Sequence, residues 1–179
     1  MTPDELGGLY RTFRHSAWRL EARDVYAVPG DDEDFDAFLA GRPVPPRTVE
    51  NSSWLKNIDV ATGAGRFFGR VRLVGHPLTD YTRFEFASYP ENIAAGEDVR
   101  VLDRGWLSDE DEAWSHQDFW LFDDQIAVLQ FYSDDGRFLG VEAARDVQPY
   151  VEVRQRATAM SVRFGEYHLD GPPPGRGRV

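Results

Sequence analysis

The sequence contains no cysteine and only one lysine, Lys56, and these shortages exclude several kinds of chemistry. Without cysteine there is no disulfide framework, thiolate zinc site, iron–sulfur cluster or cysteine nucleophile. A single lysine excludes mechanisms that need several, and the GxSxG, GxGxxG, Walker A and ExK patterns are also missing. No stretch approaches the roughly 18 consecutive apolar residues of a membrane span. The start of the chain is acidic, without the apolar core of a signal peptide, so we expect a cytoplasmic protein with no membrane contact.

The composition is that of a folded globular chain. Of its 179 residues, 41% are hydrophobic and 13% aromatic, and this length suits one domain. We therefore predict a single α+β domain over residues 1–168. Residues 169–179 are rich in proline, glycine and arginine, which predicts a flexible tail.

Negative charge is in excess and unevenly spread. The chain has 31 acidic and 20 basic residues, for a formal net charge of -11. Residues 103–135 hold ten of the acids and one base, Arg104. Such a charge repels a nucleic-acid backbone over long distances, so no direct nucleic-acid binding is expected.

Two segments alternate between apolar and charged residues, which is typical of half-buried strands. In residues 16–22, the apolar Trp18 and Leu20 alternate with Arg19 and Glu21. A second such segment, residues 67–74, places Val71 and Leu73 on one side of the strand and Arg70 and Arg72 on the other. The charged side of each strand is predicted to be the less buried one.

The clearest pattern is a three-stranded antiparallel meander over residues 119–143. Residues 119–122 and, except for Gln130, residues 126–132 are apolar on both faces, which indicates strands in the middle of a covered sheet. Asp123 and Asp124 form a tight connection, and the following Asp135-Gly136 pair tolerates the positive φ of a hairpin turn.

A long C-terminal helix is predicted from about Asp146 to Phe164, the longest helix in the chain. Its apolar stripe consists of Tyr150, Val153, Ala157, Met160 and Phe164. Together these patterns predict an α+β fold. Its antiparallel or mixed sheet of about five to six strands ends in the meander and is covered by helices, including this one.

Five strings in the chain resemble a family of actinobacterial domains of unknown function, abundant in streptomycetes. They are Ser16–Glu21 (SAWRLE), Pro77–Glu85 (PLTDYTRFE), Ala95–Arg100 (AGEDVR), Asp118–Asp123 (DFWLFD) and Gly136–Gly140 (GRFLG). The resemblance spans most of residues 16–167. Genes of this family often lie near helix-turn-helix regulators, so the resemblance implies a regulatory or toxin–antitoxin-like role. It implies no established activity and no catalytic residues.

The catalytic candidates are few. The four histidines lack metal-binding spacing, so no metal or cofactor is predicted. His116-x-Asp118 enters the meander, where Asp118 would orient the imidazole or bind a metal, although aspartate is also common where strands begin. Glu142 lies beside Gly140 on a strand, where it would be a general base with Arg137 nearby, or simply a hydrogen-bonded or edge residue.

A docking surface is the other prediction. Trp106 and Trp114 bracket an acidic loop that contains Asp109, Glu110, Asp111 and Glu112. Aromatic residues anchor interfaces while acids set their sign and association rate. In the alternative interpretation, both tryptophans pack against the sheet and only hold the loop in place.

Three functions follow from these features. The first is a protein-interaction module in a regulatory cassette, whose acidic loop binds a basic partner such as a DNA-binding regulator. The second is a small hydrolase or a metal-independent nuclease-type toxin that uses His116 and Asp118, or Glu142. The third is a small-ligand sensor with a pocket between sheet and helix. The oligomeric state cannot be predicted from these patterns.

Overall fold

A computed structural model describes residues 1–27 and 32–168 of the chain. The helices are α1 (Pro3–Thr12), α2 (Asp32–Leu39), α3 (Ser53–Gly63), α4 (Asp80–Ala94) and α5 (Gln148–Met160). The strands are β1 (Ser16–Glu21), β2 (Phe67–Val74), β3 (Asp98–Asp103), β4 (Asp118–Phe122), β5 (Ile126–Tyr132), β6 (Phe138–Ala143) and β7 (Val162–Arg163). No helix in this part of the chain has the length and apolar character needed to cross a membrane. The proposed tail, residues 169–179, falls outside the described residues.

All strands belong to one mixed sheet in the order β6-β5-β4-β1-β2-β3-β7. β1, β2 and β3 are parallel neighbours, and the remaining pairs are antiparallel. The predicted α+β class is confirmed, but the described sheet has seven strands instead of five or six. The additional strand, β7, has two residues, which are too few to show an alternating pattern in the sequence.

The meander is formed by β4, β5 and β6, as the sequence predicts. Asp123 and Asp124 turn the chain with φ angles of 55° and 53°, a conformation that aspartate tolerates better than most residues. Gly136 has a φ of 85°, and a Cβ atom there would lie 2.9 Å from the carbonyl oxygen of Val25. Glycine is therefore required at the second hairpin both for its backbone angle and for close packing.

The C-terminal helix is shorter than predicted. α5 has 13 residues against 15 in α4, so it is not the longest helix of the described chain. Ser161 is extended and ends the helix, which allows the next two residues to pair with β3. Phe164 therefore leaves the predicted stripe and packs with Val74 and Val101. The other four stripe residues do pack against the sheet, with Ala157 fully buried.

The two faces of the sheet carry different side chains. On the α5 face, Trp18, Leu20, Val71 and Leu73 belong to one apolar cluster. The opposite face packs against α1 and α3 through a second cluster that includes Ala17 and Phe68. Because neighbouring residues of a strand point to opposite faces, the charged residues of β1 and β2 lie on this second face.

The first turn of α4 is fixed by hydrogen bonds to the chain that follows β1. Its N-cap, Thr79, accepts a hydrogen bond from the backbone nitrogen of Thr82. Both threonine hydroxyls also donate to the carbonyl oxygen of Asp24, at 2.9 and 3.3 Å. The start of α4 is therefore tied to the segment that follows β1.

Candidate ligand-binding site

The charged side of β1 and β2 is buried, contrary to the sequence prediction. Glu21 is 2% exposed, Arg70 5% and Arg72 0%, and the Arg19 side chain is 15% exposed. The reason is topological: parallel strands are joined by helical crossovers, and the helices cover the face on which these residues lie.

Ion pairs run from β1 through β2 to the start of β3. One carboxylate oxygen of Glu21 lies 2.8 Å from Nη1 of Arg19, and the other lies 3.2 Å from Nη1 of Arg70. Arg70 also donates from Nε and Nη2 to the two oxygens of Glu97, at 2.7 and 3.0 Å. Asn92 of α4 donates to the same Glu97 at 2.7 Å. We call Arg19, Glu21, Arg70, Arg72 and Glu97 the charged cluster.

Arg72 is the least satisfied member of the charged cluster. Its Nη1 lies 3.7 Å from a Glu21 oxygen, and none of its three guanidinium nitrogens has a hydrogen-bonding partner among the described residues. Its guanidinium carbon lies 4.9 Å from the ring centre of Tyr26 and 5.9 Å from that of Tyr81. Cation–π contacts replace part of the lost hydration, but a buried guanidinium without hydrogen bonds is costly.

Two glutamates at this site have pKa values shifted in opposite directions. Burial opposes ionisation of Glu21, but the charges of three arginines overcome it and lower its pKa to about 2. Glu85 of α4 forms no hydrogen bond or ion pair through its carboxyl group within the described chain, and burial raises its pKa, helped by the charge of Glu21. The site therefore combines a permanent carboxylate with a readily protonated carboxyl group.

An inner cavity of about 360 Å³ lies between the charged cluster and α4. Its walls include Arg19, Glu21, Arg70, Glu85 and Tyr89. The Nε of Arg19 and the hydroxyl of Tyr89 are buried without a hydrogen-bonding partner in the described protein. Both atoms are closed off from solvent, so the cavity is bordered by the other atoms of these charged and aromatic residues.

A second, outer cavity of about 290 Å³ lies between α2 and α4. It shares the lining residues Arg47, Glu85 and Ser88 with the inner cavity. The rest of its wall includes the apolar side chains Phe38, Val44, Pro45 and Phe84. Its wall is the more apolar of the two.

The predicted pair of His116 and Asp118 is split between two environments. Asp118 is 2% exposed and accepts hydrogen bonds from the Tyr26 hydroxyl at 2.5 Å and the Ala22 nitrogen at 2.8 Å. Tyr26 lines the inner cavity, so Asp118 touches the site indirectly. His116 is exposed and pairs instead with Glu112, at 2.6 Å.

Glu142 and Arg137 lie on the surface of the β6 region. Glu142 is exposed on the α5 face, where burial of Tyr150 raises the pKa of that phenol and the charge of Glu142 adds to the effect. Arg137 is exposed and pairs with Asp135 at 3.0 Å. Neither residue lines the inner or the outer cavity. Within the described chain, no group of three or more histidines and acids is arranged to hold a metal ion.

The acidic loop is attached to the body of the protein by its one buried acid, Asp111. This carboxylate is 0% exposed and accepts hydrogen bonds from Ser108, from Nε1 of Trp114 and from Arg156 of α5. Those from Arg156 and Ser108 overcome the effect of burial and hold its pKa well below the usual range. Trp106 and Trp114 are half-buried against the α5 cluster, while Asp109, Glu110 and Glu112 are exposed.

Sequence reasoning missed the charged cluster and both cavities. A signal was present in the sequence: the apolar residues Ala17 and Phe68 share a face with the charged residues of their strands. Both are fully buried in the structure. Had the β1–β2 pair been recognised as parallel, helices would have been expected on both faces of the sheet. The arginines would then have been predicted to lie beneath one of them.

Comparisons with known proteins identify a family but no activity. A search of curated proteins found no match. Among solved structures, NucT from Helicobacter pylori is similar over 87% of this chain and 86% of its own, with 14% identity and a TM-score of 0.43. A TM-score of this size does not establish a common fold. Residues 4–169 match the family described as "Domain of unknown function (DUF6879)", and the chain therefore belongs to this family.

Proposed function

We propose that this member of the DUF6879 family is a small-ligand-binding domain whose site is the inner cavity between the charged cluster and α4. The observation that supports this most directly is the lining of that cavity, in which the aromatic rings of Tyr26 and Tyr89 lie among charged side chains, including the unpartnered carboxyl group of Glu85. A pocket lined by aromatic groups and a few convergent polar groups is the usual form of a small-molecule site.

Energetics supports a functional reason for the charged cluster. Buried ion pairs are often no more stabilising than apolar residues of similar volume, because desolvation offsets the attraction between the charges. Arg72, which lacks any hydrogen bond from its guanidinium, makes this cluster less favourable still. Binding of a ligand is a reason to maintain such an arrangement in the core.

Blocking the cavity tests the proposal. Ser88 lines both cavities, so Ser88→Trp places a large side chain in the wall that they share, whereas Gln155→Trp adds the same side chain to an exposed position on α5. Each protein is heated with the low-molecular-weight fraction of an extract from its native host, and released compounds are identified by mass spectrometry. We expect one compound to raise the unfolding temperature of the wild type and of Gln155→Trp, but not of Ser88→Trp. Equal stabilisation of all three proteins, or of none, contradicts the proposal.

A protein-docking role for the acidic loop is a second candidate. It is favoured by the fixing of the loop through Asp111, which holds Asp109 and Glu110 at the surface. The partner would be basic, such as a DNA-binding regulator. The double change Asp109→Lys and Glu110→Lys should abolish its salt-sensitive binding, while the same reversal at Asp4 and Glu5 of α1 should not. Unchanged binding by the loop variant excludes this role.

A further inference from the structure

We infer that the outer cavity is a second binding site, which takes the zwitterionic form of an apolar α-amino acid. The ammonium group of the ligand lies against Glu85 and Ser88 of α4, and its carboxylate lies against Arg42. Its side chain packs against the apolar part of the wall. The inference goes beyond the proposed function, because it does not depend on what occupies the inner cavity.

The apolar part of the outer cavity is formed by two facing helices and a loop. Phe38 of α2 packs against Phe84 of α4, with 5.6 Å between the ring centres. Val44 and Pro45, from the loop that follows α2, extend this part of the wall. The volume of about 290 Å³ is at the lower end of the range for ligand sites, so it suits a molecule of the size of one amino acid. An apolar side chain bound there is removed from water, which favours binding.

The charged groups in the same wall are of both signs, and they do not all neutralise one another. Arg47 and Glu91 form an ion pair at 2.8 Å. The remaining charged residues are Asp34, Arg42 and Glu85, and none of these side chains has an ion-pair partner within the described chain. A wall with unpaired groups of both signs is complementary to a small ligand that carries both charges, as a free α-amino acid does.

Two acceptors for an ammonium group lie on one side of α4. The Ser88 hydroxyl donates its proton to the backbone carbonyl oxygen of Glu85 at 2.8 Å, so towards a ligand it can only accept. The Glu85 carboxyl group, three residues earlier on the same side of the helix, lines the cavity with no hydrogen-bonding partner in the described protein. Burial raises the pKa of Glu85, helped by the charge of Glu21, whereas an ammonium group beside it favours the carboxylate. Asp34 adds a second negative charge from α2.

Arg42 supplies the cation for the carboxylate of the ligand. The backbone here is fixed by the end of α2, where Gly41 has a φ of 64° and the nitrogen of Arg42 donates to the carbonyl oxygen of Ala37 at 2.8 Å. The guanidinium is exposed and has no ion-pair partner in the described protein, so its planar donors are free to bind a carboxylate. Because Arg42 and Glu85 lie on different elements, the two ends of a zwitterion are recognised separately.

Two matched series of probes test each end of the ligand by calorimetry at neutral pH. L-Phenylalanine is compared with 3-phenylpropionate and phenethylamine, and L-leucine with 4-methylpentanoate and 3-methylbutylamine. We expect at least one of the amino acids to bind, and its acid analogue to bind at least about tenfold more weakly, because the contacts of the ammonium group are lost. The amine should bind about two- to fivefold more weakly, since Arg42 is exposed. Affinity for either analogue equal to that for the amino acid, or no binding of either amino acid, overturns the inference.

Variants locate the two charged ends. Glu85→Gln should weaken binding of the amino acid and of the amine, while the exposed Glu152→Gln on α5 should bind both as the wild type does. Arg42→Gln should weaken binding of the amino acid by about two- to fivefold and leave the amine unaffected. Its control is Arg145→Gln, which is also exposed and does not line the cavity. Wild-type affinity for the amino acid in either Glu85→Gln or Arg42→Gln refutes the contact assigned to that residue.

A further variant separates this site from the inner cavity. Ala87 is exposed and lines only the outer of the two cavities, whereas Ser88 lines both. We expect Ala87→Trp to lose the amino acid but to bind the host compound that Ser88→Trp loses. If Ala87→Trp binds the amino acid as the wild type does, the outer cavity is not its site and the inference fails, whatever the inner cavity binds. If Ala87→Trp loses the host compound as well, that compound occupies the outer cavity and the proposed function fails instead.

Discussion

Tyr26 donates a 2.5 Å hydrogen bond to Asp118, and through this pair the one buried residue among the predicted catalytic candidates reaches the wall of the inner cavity. The Tyr26 ring also lies over Arg72, with 4.9 Å between the guanidinium carbon and the ring centre. Burial, reinforced by the neighbouring Asp118, raises the pKa of Tyr26 well above its usual value. The phenol therefore stays protonated and remains a donor to Asp118.

Removing this hydroxyl tests its contribution to stability. Tyr26→Phe leaves Asp118 with the Ala22 nitrogen as its remaining hydrogen-bond donor. We expect a loss of about 1–3 kcal/mol in the free energy of unfolding, measured by urea denaturation, since a buried acceptor is left partly unsatisfied. Tyr132→Phe removes only a long 3.4 Å contact with Arg19 and should cost less. An equal loss in both variants contradicts the importance of the Tyr26–Asp118 bond.

Loss of the central carboxylate should be more damaging. Glu21→Gln leaves three buried arginines with one fewer negative charge among them. Breaking a buried ion pair from one side costs about 3–5 kcal/mol, so we expect the variant to unfold at much lower denaturant concentration. Asp80→Asn, which breaks an exposed pair with Arg83, should stay within about 1 kcal/mol of wild type. If Glu21→Gln is as mild as the control, the charged cluster contributes little to stability.

The two glutamates predict opposite pH effects on stability. The pKa of Glu21 is lowered to about 2 in the folded protein, so its contribution is present above its unfolded pKa and is lost as the pH falls towards 2. The pKa of Glu85 is raised, so the folded state holds this proton more tightly, and stability falls as the pH rises through the range between its unfolded and folded values. Thermal unfolding of Glu85→Gln should show no such fall and a higher midpoint than wild type at alkaline pH. The same alkaline decline in both proteins would assign it to another group.

The turn between β4 and β5 offers a matched pair of substitutions. Asp123 accepts hydrogen bonds from the backbone nitrogens of Arg14, His15 and Ser16, at 2.7 to 2.9 Å. Asp124, with nearly the same positive φ, forms a surface ion pair with Arg154. Because the conformational strain of an alanine is similar at both sites, the difference between them isolates the hydrogen bonds. Asp123→Ala should be less stable than Asp124→Ala by about 1–3 kcal/mol in urea denaturation. Equal stability would show that the three bonds have no net value.

Much of the fold was predictable because local patterns and tertiary structure agree. β2 has the predicted bounds, and the hairpins at Asp123–Asp124 and Asp135–Gly136 follow from residues that tolerate positive φ. The end of α5 was not predictable, because Ser161 leaves the helix in order to pair the following residues with β3. That pairing depends on a strand about 60 residues away in the chain.

The site was not predictable for a different reason. Arg70 and Arg72 alternate with apolar residues in the same way as the solvent side of an ordinary strand, and alternation does not distinguish water from a covering helix. Their burial depends on α4, whose contribution to the cavity, Glu85, lies within a mixed sequence. His116 and Glu142 were predicted as catalytic candidates from their residue types alone, and both are exposed. The residues of the charged cluster and Glu85 lie instead on β1, on β2, on α4 and just before β3, so no short segment of the sequence contains them together.

The ion pairs that extend from Glu21 through Arg70 to Glu97 have a consequence for how this family can diverge. A lineage that loses one of these charges leaves its partner buried and unpaired, and a single further substitution does not repair a cluster in which each group has several partners. Intermediates along such a path are less stable than either end. Distant relatives should therefore either keep all of these residues or have replaced them together with apolar ones.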